Sequence, residues 1–216
     1  MDLARWTPPL DWTPDRMAGP HVVVEPLAPA HAAPLHAGFA GDDATWDYMP
    51  YGPFDADGYA DWVAEKAVSA DPRFVALIDG DGPAGVASWL RIDRPHGVVE
   101  IGHIALTPRL RRTRAATEAL HLMIDAPFAA GFRRVEWKCN ARNDGSRRAA
   151  ARLGFGYEGT FRQHMVIKGR NRDSAWFSIL DGDWPRLWAA HRAWLDGSNF
   201  DPEGRQRRSL SEMTAA

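Results

Sequence analysis

Residues 98–124, VVEIGHIALTPRLRRTRAATEALHLMI, place a strand, a basic turn and a helix in direct succession. Val98–Leu106 is mainly β-branched or apolar and precedes Thr107-Pro108, which predicts an interior strand. A helix is predicted next, with Thr113 as its N-cap and Pro127 as a kink or an end. The apolar residues at helical spacing are Ala116, Leu120, Met123 and Ile124.

The turn between strand and helix is strongly basic, with four arginines in residues 109–114. The first turn of a helix has N–H groups without intrahelical partners and carries the positive end of the helix dipole. Arginine side chains add bidentate contacts to phosphate oxygens. The turn therefore fits a pyrophosphate site, and it fits a solvated turn of an ordinary βα unit equally well.

Length and composition indicate one ordinary globular domain, since the chain has 216 residues, of which 45% are hydrophobic and 25% charged. A net charge of −2 argues against a nucleic-acid partner. The single cysteine, Cys139, excludes an intramolecular disulfide and is expected to be a small buried residue. The eight histidines show no ligand spacing, so no metal is predicted.

The ends of the chain differ in composition from its middle. Residues 1–20 are rich in proline and tryptophan and predict an extended arm on the surface, whereas residues 196–216 are polar and predict a flexible tail. Residues 21–195 form the predicted catalytic domain. The N-terminus has no apolar h-region and no segment of transmembrane length occurs, so a cytoplasmic protein without a membrane partner is expected. A homodimer is left open.

Turn residues and periodicity predict the remaining elements. Strands are predicted at residues 21–25, 73–78, 84–92, 134–139, 155–168 and 173–180. Helices are predicted at residues 29–39, 55–69 and 146–153, and from residue 183 onward.

Two motifs carry a family resemblance. EIGHIALTPRLRRTRAATEAL, followed by WKCNARNDGSRRAAARLGFGYEGTFRQ, resembles the GNAT superfamily of acyl-CoA-dependent N-acyltransferases, in particular its RimJ/RimL-like branch, over about residues 22–184. The resemblance implies a mixed, mostly antiparallel twisted sheet flanked by helices, with a CoA cleft at splayed central strands. It also implies direct transfer of an acyl group from acetyl-CoA to a primary amine, either a protein N-terminus or a small molecule.

The resemblance also implies which residues bind CoA. The strand backbone at Ile104, Ala105 and Leu106 would bind the acyl carbonyl and pantetheine. The family's pyrophosphate loop, Q/R-x-x-G-x-G/A, corresponds to Arg111, Arg112, Thr113, Arg114, Ala115 and Ala116. Arg114 thus replaces a glycine, and the sequence leaves open whether it contacts the pyrophosphate or points away.

Asn143 and Ser146 form an N-x-x-S motif at the start of a helix. In the family, the matching asparagine binds the CoA arm and the matching serine assists the departing thiolate. Both residue types are also favoured helix caps, and one of them is expected to cap.

Two side chains are candidates for the catalytic base. Glu100 on the central strand is the first candidate base, and some GNAT enzymes use a glutamate there; the alternative is a structural pair with an arginine on a neighbouring strand. His164 is the rival base. RimL-like enzymes have a carboxylate one residue further on, where this chain has Met165. Regular alternation places His103 on the face opposite Glu100 unless a bulge intervenes.

The loop at residues 41–54 is rich in aromatic side chains and predicts an acceptor-binding wall. Packing against the core is the alternative interpretation. The predicted wall consists of Trp46, Tyr48, Met49, Tyr51 and Phe54, together with Trp89 from a nearby strand.

The altered glycine position and Met165 also support a second hypothesis. A protein that binds acyl-CoA without catalysis, as a sensor, would need the binding loop and no base. Calorimetry with CoA and an acyl-transfer assay separate the two hypotheses. RNA binding through the arginine turn is disfavoured by the acidic net charge.

Overall fold

A computed structural model describes residues 3–215. Its eight strands form one sheet in the order β1-β2-β3-β4-β5-β6-β8-β7. Only β5 and β6 are parallel, and all other neighbouring strands are antiparallel. The strands are β1 Met17–Ala18, β2 Val23–Pro26, β3 Arg73–Asp79, β4 Gly82–Asp93, β5 Val98–Leu106, β6 Arg134–Asn140, β7 Gly156–Ile167 and β8 Arg170–Leu180. The predicted mixed, mostly antiparallel sheet is confirmed.

The α-helices are α1 Ala32–Gly38, α2 Ala56–Ala67, α3 Arg114–Ala129, α4 Asp144–Arg152, α5 Trp184–Leu195 and α6 Leu210–Thr214. Three of them begin at predictable caps. Asp55, Thr113 and Asn143 each accept a hydrogen bond from a backbone N–H three residues on, at the starts of α2, α3 and α4. Pro127 lies in the last turn of α3, so the helix ends close to it as predicted.

Two apolar clusters lie on opposite faces of the sheet. On one face, α3, α4 and α5 cover strands from β2 to β8, with Trp89, Ile101 and Met123 among the buried residues. On the other face, α1 and α2 pack on β3, β4 and β5, with Phe74 and Tyr59 in the core. The side chains of β6 and β8 on this second face belong to neither cluster, which leaves that part of the sheet uncovered by helices.

Both ends of the described chain pack against the domain. Trp12 of the arm contacts Trp89 and Phe132 with ring centroids 5.5 and 4.9 Å apart, and β1 pairs with β2. At the other end Leu210 is 0% exposed and Asn199 is buried. The predicted flexible tail is therefore wrong for residues 196–215, because α6 buries an apolar side chain; residues 1, 2 and 216 lie outside the described part.

Candidate active site

The central parallel strands separate partway along their length. Only Val98 to Ile101 of β5 pair with β6, and the last pair is Ile101 with Trp137. Beyond it, residues 102–106 and residues 138–140 diverge, so the backbone of β5 at the predicted Ile104, Ala105 and Leu106 has no pairing to β6. The structure thus has the splayed central strands that the family resemblance implies.

A bulge in β5 changes which face each side chain occupies. Val86 pairs with Ala105 and Ser88 with Gly102, so β5 has one extra residue between these pairs. His103 takes a positive φ of 52° there. Because of the bulge, Ile104 packs on the α3 side, whereas His103 contacts Tyr51 and Phe74 on the α2 side. The prediction from regular alternation is wrong for His103, because the bulge places its side chain on the same face of the sheet as Glu100.

Three of the four arginines in the basic turn already have protein partners. Arg109 forms an ion pair with Asp79, and Arg111 forms one with Asp42. Arg114 donates to the carbonyl of Leu195 at 2.7 Å, and its guanidinium lies 4.1 Å from the ring centre of Phe200. The Arg114 guanidinium therefore has its protein partners in the C-terminal segment.

Arg112 is the remaining arginine, and it has no partner among the described residues. It is exposed and adopts a positive φ of 62°. Next to it, Thr113 Oγ1 caps α3 by accepting the Ala116 N–H at 3.1 Å. The N–H groups of Arg114 and Ala115 belong to the first turn and have no partner within the helix.

A cavity of about 660 Å³ lies in front of this helix start. It is lined on one side by Arg112, Thr113, Arg114 and Ala115, and on the other by C-terminal residues that include Trp194, Phe200 and Gln206. An exposed arginine, first-turn N–H groups and a cavity fit a bound diphosphate. The C-terminal segment, predicted as a free tail, forms a wall of this cavity.

The N-x-x-S motif lies on the same face as α3. Asn143 Oδ1 caps α4 by accepting the Ser146 N–H at 3.0 Å, which confirms the capping interpretation. Ser146 Oγ accepts from Trp137 Nε1 at 2.9 Å, and the Ser146 side chain also forms a hydrogen bond with Cys139. Burial raises the pKa of the neighbouring Cys139 thiol, which is a buried residue as expected.

The uncovered face of β5, β6 and β8 carries a network of buried charges. Glu100 Oε2 contacts Arg91 of β4 at 2.5 Å and Lys138 of β6 at 2.9 Å. Lys138 also contacts Glu136 at 3.3 Å, and its ammonium lies 3.6 Å from the ring centre of Trp176. Glu100 thus makes the structural pair with a neighbouring arginine that was the alternative to its role as base.

His164 of β7 lies beside this network. Its Nδ1 is 2.9 Å from Ser174 Oγ, which also accepts from Arg172 Nε at 3.2 Å. Partial burial lowers the pKa of His164, and the positive charges of Arg91, Arg172 and Lys138 lower it further. His164 is therefore neutral at pH 7 and able to accept a proton.

His103 and Tyr51 form a second polar pair at the edge of the aromatic loop. Burial, followed by the charges of Lys66, Arg91 and Arg172, lowers the pKa of His103 to about 4, and burial raises the pKa of Tyr51. The Tyr51 hydroxyl therefore donates to His103 Nδ1, at 2.9 Å. Their rings stack with centroids 5.6 Å apart, which fixes this part of the loop against β5.

The predicted aromatic wall divides into core and surface residues. Trp46 is buried in the cluster under α1 and α2, with Met49 and Phe54 packed against it. Tyr48 is exposed and donates to the Arg142 carbonyl at 3.2 Å, next to the start of α4. Lys168 of the β7–β8 turn donates to the carbonyls of Trp46 and Gly52 at 2.9 and 2.7 Å. The loop at residues 41–54 therefore extends from the region of α2 to the segment between β6 and α4.

Trp89 does not belong to the predicted wall. It is 0% exposed and lies on the α3 side of the sheet, where its Nε1 donates to the Met123 carbonyl at 3.0 Å. The prediction that Trp89 contacts the acceptor is wrong, because the strand turns this side chain into the larger core.

Sequence reasoning missed the cations of the uncovered face, Arg91, Lys138 and Arg172. One signal was present, because RVEWKC at residues 134–139 alternates charged and apolar residues and so predicts one charged face. No comparable signal marks Arg91, which lies at an irregularity in β4 with a φ of 49°.

The chain belongs to the GNAT acetyltransferase family. The family model described as acetyltransferase (GNAT) domain matches residues 21–156, more than half of the chain. A GCN5-related N-acetyltransferase from Brucella melitensis is 41% identical, with a TM-score of 0.91 over 96% of this chain and 100% of its own. A probable acetyltransferase of the GNAT family from Chromobacterium violaceum is also 41% identical, with a TM-score of 0.80 over 86% and 96%.

The predicted family and enzyme class are thereby confirmed: the chain is an N-acetyltransferase of a family that uses acetyl-CoA as co-substrate. RimL, the ribosomal L7/L12 α-N-protein acetyltransferase, is 18% identical, with a TM-score of 0.68 over 77% of this chain and 94% of its own. The RimJ/RimL-like resemblance of the sequence motifs is therefore accompanied by a similar fold. No curated protein gives a significant match.

Residues 3–215 contain neither a cluster of metal-ligand side chains nor a helix that could span a membrane. No group of three or more histidine, cysteine, aspartate or glutamate side chains there is placed to hold a metal ion. None of the helices in this part of the chain has the length and apolarity needed to cross a membrane.

Proposed function

We propose that the protein transfers the acetyl group of acetyl-CoA directly to a primary amine, across the gap between β5 and β6. The proposal is supported mainly by the separation of these strands after Ile101 and Trp137. This separation opens a gap in the sheet through which a donor on one face can meet an acceptor on the other. The helix start with Arg112 and the residue Ser146 lie on one face. Glu100, His103 and His164 lie on the other.

The donor side would hold acetyl-CoA through its diphosphate and pantetheine. Arg112 and the free N–H groups of Arg114 and Ala115 suit the diphosphate, since they combine a mobile cation with the positive end of a helix. The unpaired backbone of Ile104, Ala105 and Leu106 suits the pantetheine amides and the acyl carbonyl. Asn143 uses only Oδ1 for capping, so its side-chain N–H groups remain for the CoA arm.

The acceptor reacts as the neutral amine, the conjugate base of an ammonium with an ordinary pKa near ~10, and one proton has to leave the nitrogen as it attacks. We assign this step to His164, because Arg91 and Lys138 already occupy the carboxylate of Glu100. The role requires the tautomer in which Nδ1–H donates to Ser174 Oγ, so that Nε2 is free. Glu100 then serves to hold Arg91 and Lys138 in place.

The transfer balances without a covalent enzyme intermediate. The amine nitrogen forms a bond to the carbonyl carbon, the carbon–sulfur bond breaks, and the amine proton passes to His164. Sulfur leaves as a thiolate that the Ser146 hydroxyl stabilises by donating a hydrogen bond, before the thiolate takes up a proton.

Calorimetry with acetyl-CoA and CoA, followed by a thiol-release assay over an amine panel, tests the proposal. Binding of both ligands with turnover on at least one amine is the expected result. Binding without turnover on any amine would overturn catalysis and favour the sensor hypothesis. A protein that binds neither ligand would contradict both functions.

Replacement of His164 by asparagine tests the assignment of the base. We expect His164→Asn to lower kcat by about 100-fold while acetyl-CoA affinity is unchanged. The acidic limb of the wild-type pH–kcat profile should lie below the ordinary histidine value of 6.5, because the pKa of His164 is lowered. His96→Asn, at an exposed turn, is the matched control. Wild-type kcat in His164→Asn would move the proton transfer to Glu100 or water.

A further inference from the structure

The uncovered face of the sheet carries one more cation than it has carboxylates. The cations are Arg91, Arg134, Lys138 and Arg172, and the carboxylates are Glu100, Glu136 and Glu158. Each carboxylate lies within 3.3 Å of at least one cation. Arg172 has no carboxylate within 4.0 Å anywhere in residues 3–215, so the excess positive charge lies there.

Arg172 is half-buried, which makes its unpaired charge costly. Burial lowers the pKa of Arg172, whereas Cys139 and Glu100 raise it and the charge of Arg91 lowers it again; the net shift is downward. Its one described hydrogen bond joins Nε to Ser174 Oγ at 3.2 Å, and the two terminal nitrogens have no acceptor among the described residues. A desolvated guanidinium with both ends free is suited to bind an anion from outside the chain.

The position of Arg172 relates this anion to the acceptor. Ser174 Oγ contacts both Arg172 Nε at 3.2 Å and His164 Nδ1 at 2.9 Å, so the two side chains share one hydroxyl. Glu100 raises the pKa of Arg172, and Arg172 lowers the pKa of His103, so the three side chains lie close together. The unpaired guanidinium therefore lies next to the proposed base.

We propose that the acceptor carries a carboxylate close to its amine, as a free amino acid does, and that Arg172 binds this carboxylate in a bidentate manner. The proposal rests on the proposed function and names its substrate class. The Ser174 contact fixes the guanidinium plane, which presents parallel N–H donors to a carboxylate. The same anchor would place the amine near His164. A protein N-terminus lacks this carboxylate, because its first residue ends in a peptide amide.

A panel of free L-amino acids with small, aromatic, acidic and basic side chains, each paired with its carboxamide, tests the proposal. Rates are measured at saturating acetyl-CoA and compared on the basis of neutral amine. We expect kcat/KM to be at least about tenfold higher for the best free acid than for its carboxamide. Equal values, or turnover confined to carboxamides and peptides, would overturn the carboxylate requirement.

Arg172→Gln should remove that preference through KM. We expect KM for the free acid to rise by about tenfold and the ratio of kcat/KM between free acid and carboxamide to fall towards one, while the affinity for acetyl-CoA is unchanged. Arg172→Lys keeps the charge without the fork and should give a smaller rise. Arg170→Gln, on an exposed site of the same strand, is the matched control.

The outcomes separate this inference from the proposed function. Turnover on amines that is indifferent to the carboxylate and to Arg172→Gln contradicts the inference and leaves the acetyltransferase proposal intact. Failure of acetyl-CoA binding or of all turnover contradicts the proposed function itself. Near-ultraviolet circular dichroism of each variant confirms that the KM change occurs in a folded protein.

Discussion

The two faces of the sheet bury ionisable side chains in opposite ways. Under α3 and α5, His121 and His191 are 3% and 0% exposed, and burial lowers the pKa of each to about 4. On the opposite face Glu100 and Lys138 are also buried, with side-chain exposures of 6% and 4%, yet they form an ion pair. The two histidines therefore lose their charge on burial, whereas Glu100 and Lys138 are buried together as an ion pair.

The surroundings of each pair explain the difference. No carboxylate forms an ion pair with His121 or His191 in the described part of the chain, so desolvation decides and the neutral form prevails. Glu100 and Lys138 have further partners in Arg91 and Glu136, which compensate for the loss of water. These buried ion pairs lie on the part of the sheet that no helix covers, and this is where the acceptor is proposed to bind.

Removing one charge from the network should give the largest effect. Glu100→Gln leaves the buried ammonium of Lys138 with Glu136 alone and removes the partner of Arg91. We expect the free energy of unfolding to fall by about 3 kcal/mol, measured by urea denaturation at pH 7.

Glu65→Gln is the control for this substitution, because Glu65 pairs with Lys66 at the surface and is 71% exposed. Its unfolding free energy should change by less than about 1 kcal/mol. If both variants lost the same small amount, the charges on the uncovered face would not be compensating one another, and the contrast between the faces would fail.

The neutral histidines predict a loss of stability in acid. The unfolded chain binds protons at the ordinary value of 6.5, whereas folded His121 does so only at about 4. Stability is therefore complete above pH 6.5 and falls as the pH is lowered towards 4, by about 2 kcal/mol at pH 5 for each such histidine.

His121→Phe isolates this contribution while keeping a ring against Trp184. Between pH 6.5 and 5, we expect the slope of unfolding free energy against pH to decrease by about 1 kcal/mol per pH unit relative to wild type. The slope is independent of any change in overall stability that the larger ring causes. An unchanged slope would show that His121 is protonated in the folded protein.

The central elements were predictable because they depend on local patterns. Val98–Leu106 is a strand over the predicted residues, and Thr113 caps α3 as its side chain and position suggested. Periodicity also located the larger core, since Leu120, Met123 and Ile124 are all buried. These features follow from propensity, capping and alternation within a few residues.

The details of the site were not predictable, because they depend on contacts between distant segments. The bulge that moves His103 to the face of Glu100 arises from the pairing of β5 with β4. The direction of Arg114 depends on Leu195 and Phe200, about eighty residues further along the chain. Four arginines in one turn likewise suggested a dense positive site, yet Asp79 and Asp42 neutralise two of them.

Arg112 is the counterpart of Arg172 on the donor side, since each is the one arginine of its group without a carboxylate or carbonyl partner in residues 3–215. Binding of acetyl-CoA could be governed by the unpaired arginine or by the total number of arginines in the turn. In the first case, Arg112→Gln should weaken acetyl-CoA binding by about fivefold, roughly 1 kcal/mol. The effect is modest because the contact to phosphate is exposed. Arg109→Gln, in the same turn but paired with Asp79, should change the affinity by less than about twofold. Calorimetry at two salt concentrations measures both effects, and the loss in Arg112→Gln should shrink at the higher salt. Equal losses in the two variants would mean that the whole turn acts as one positive surface and that pairing within it does not matter.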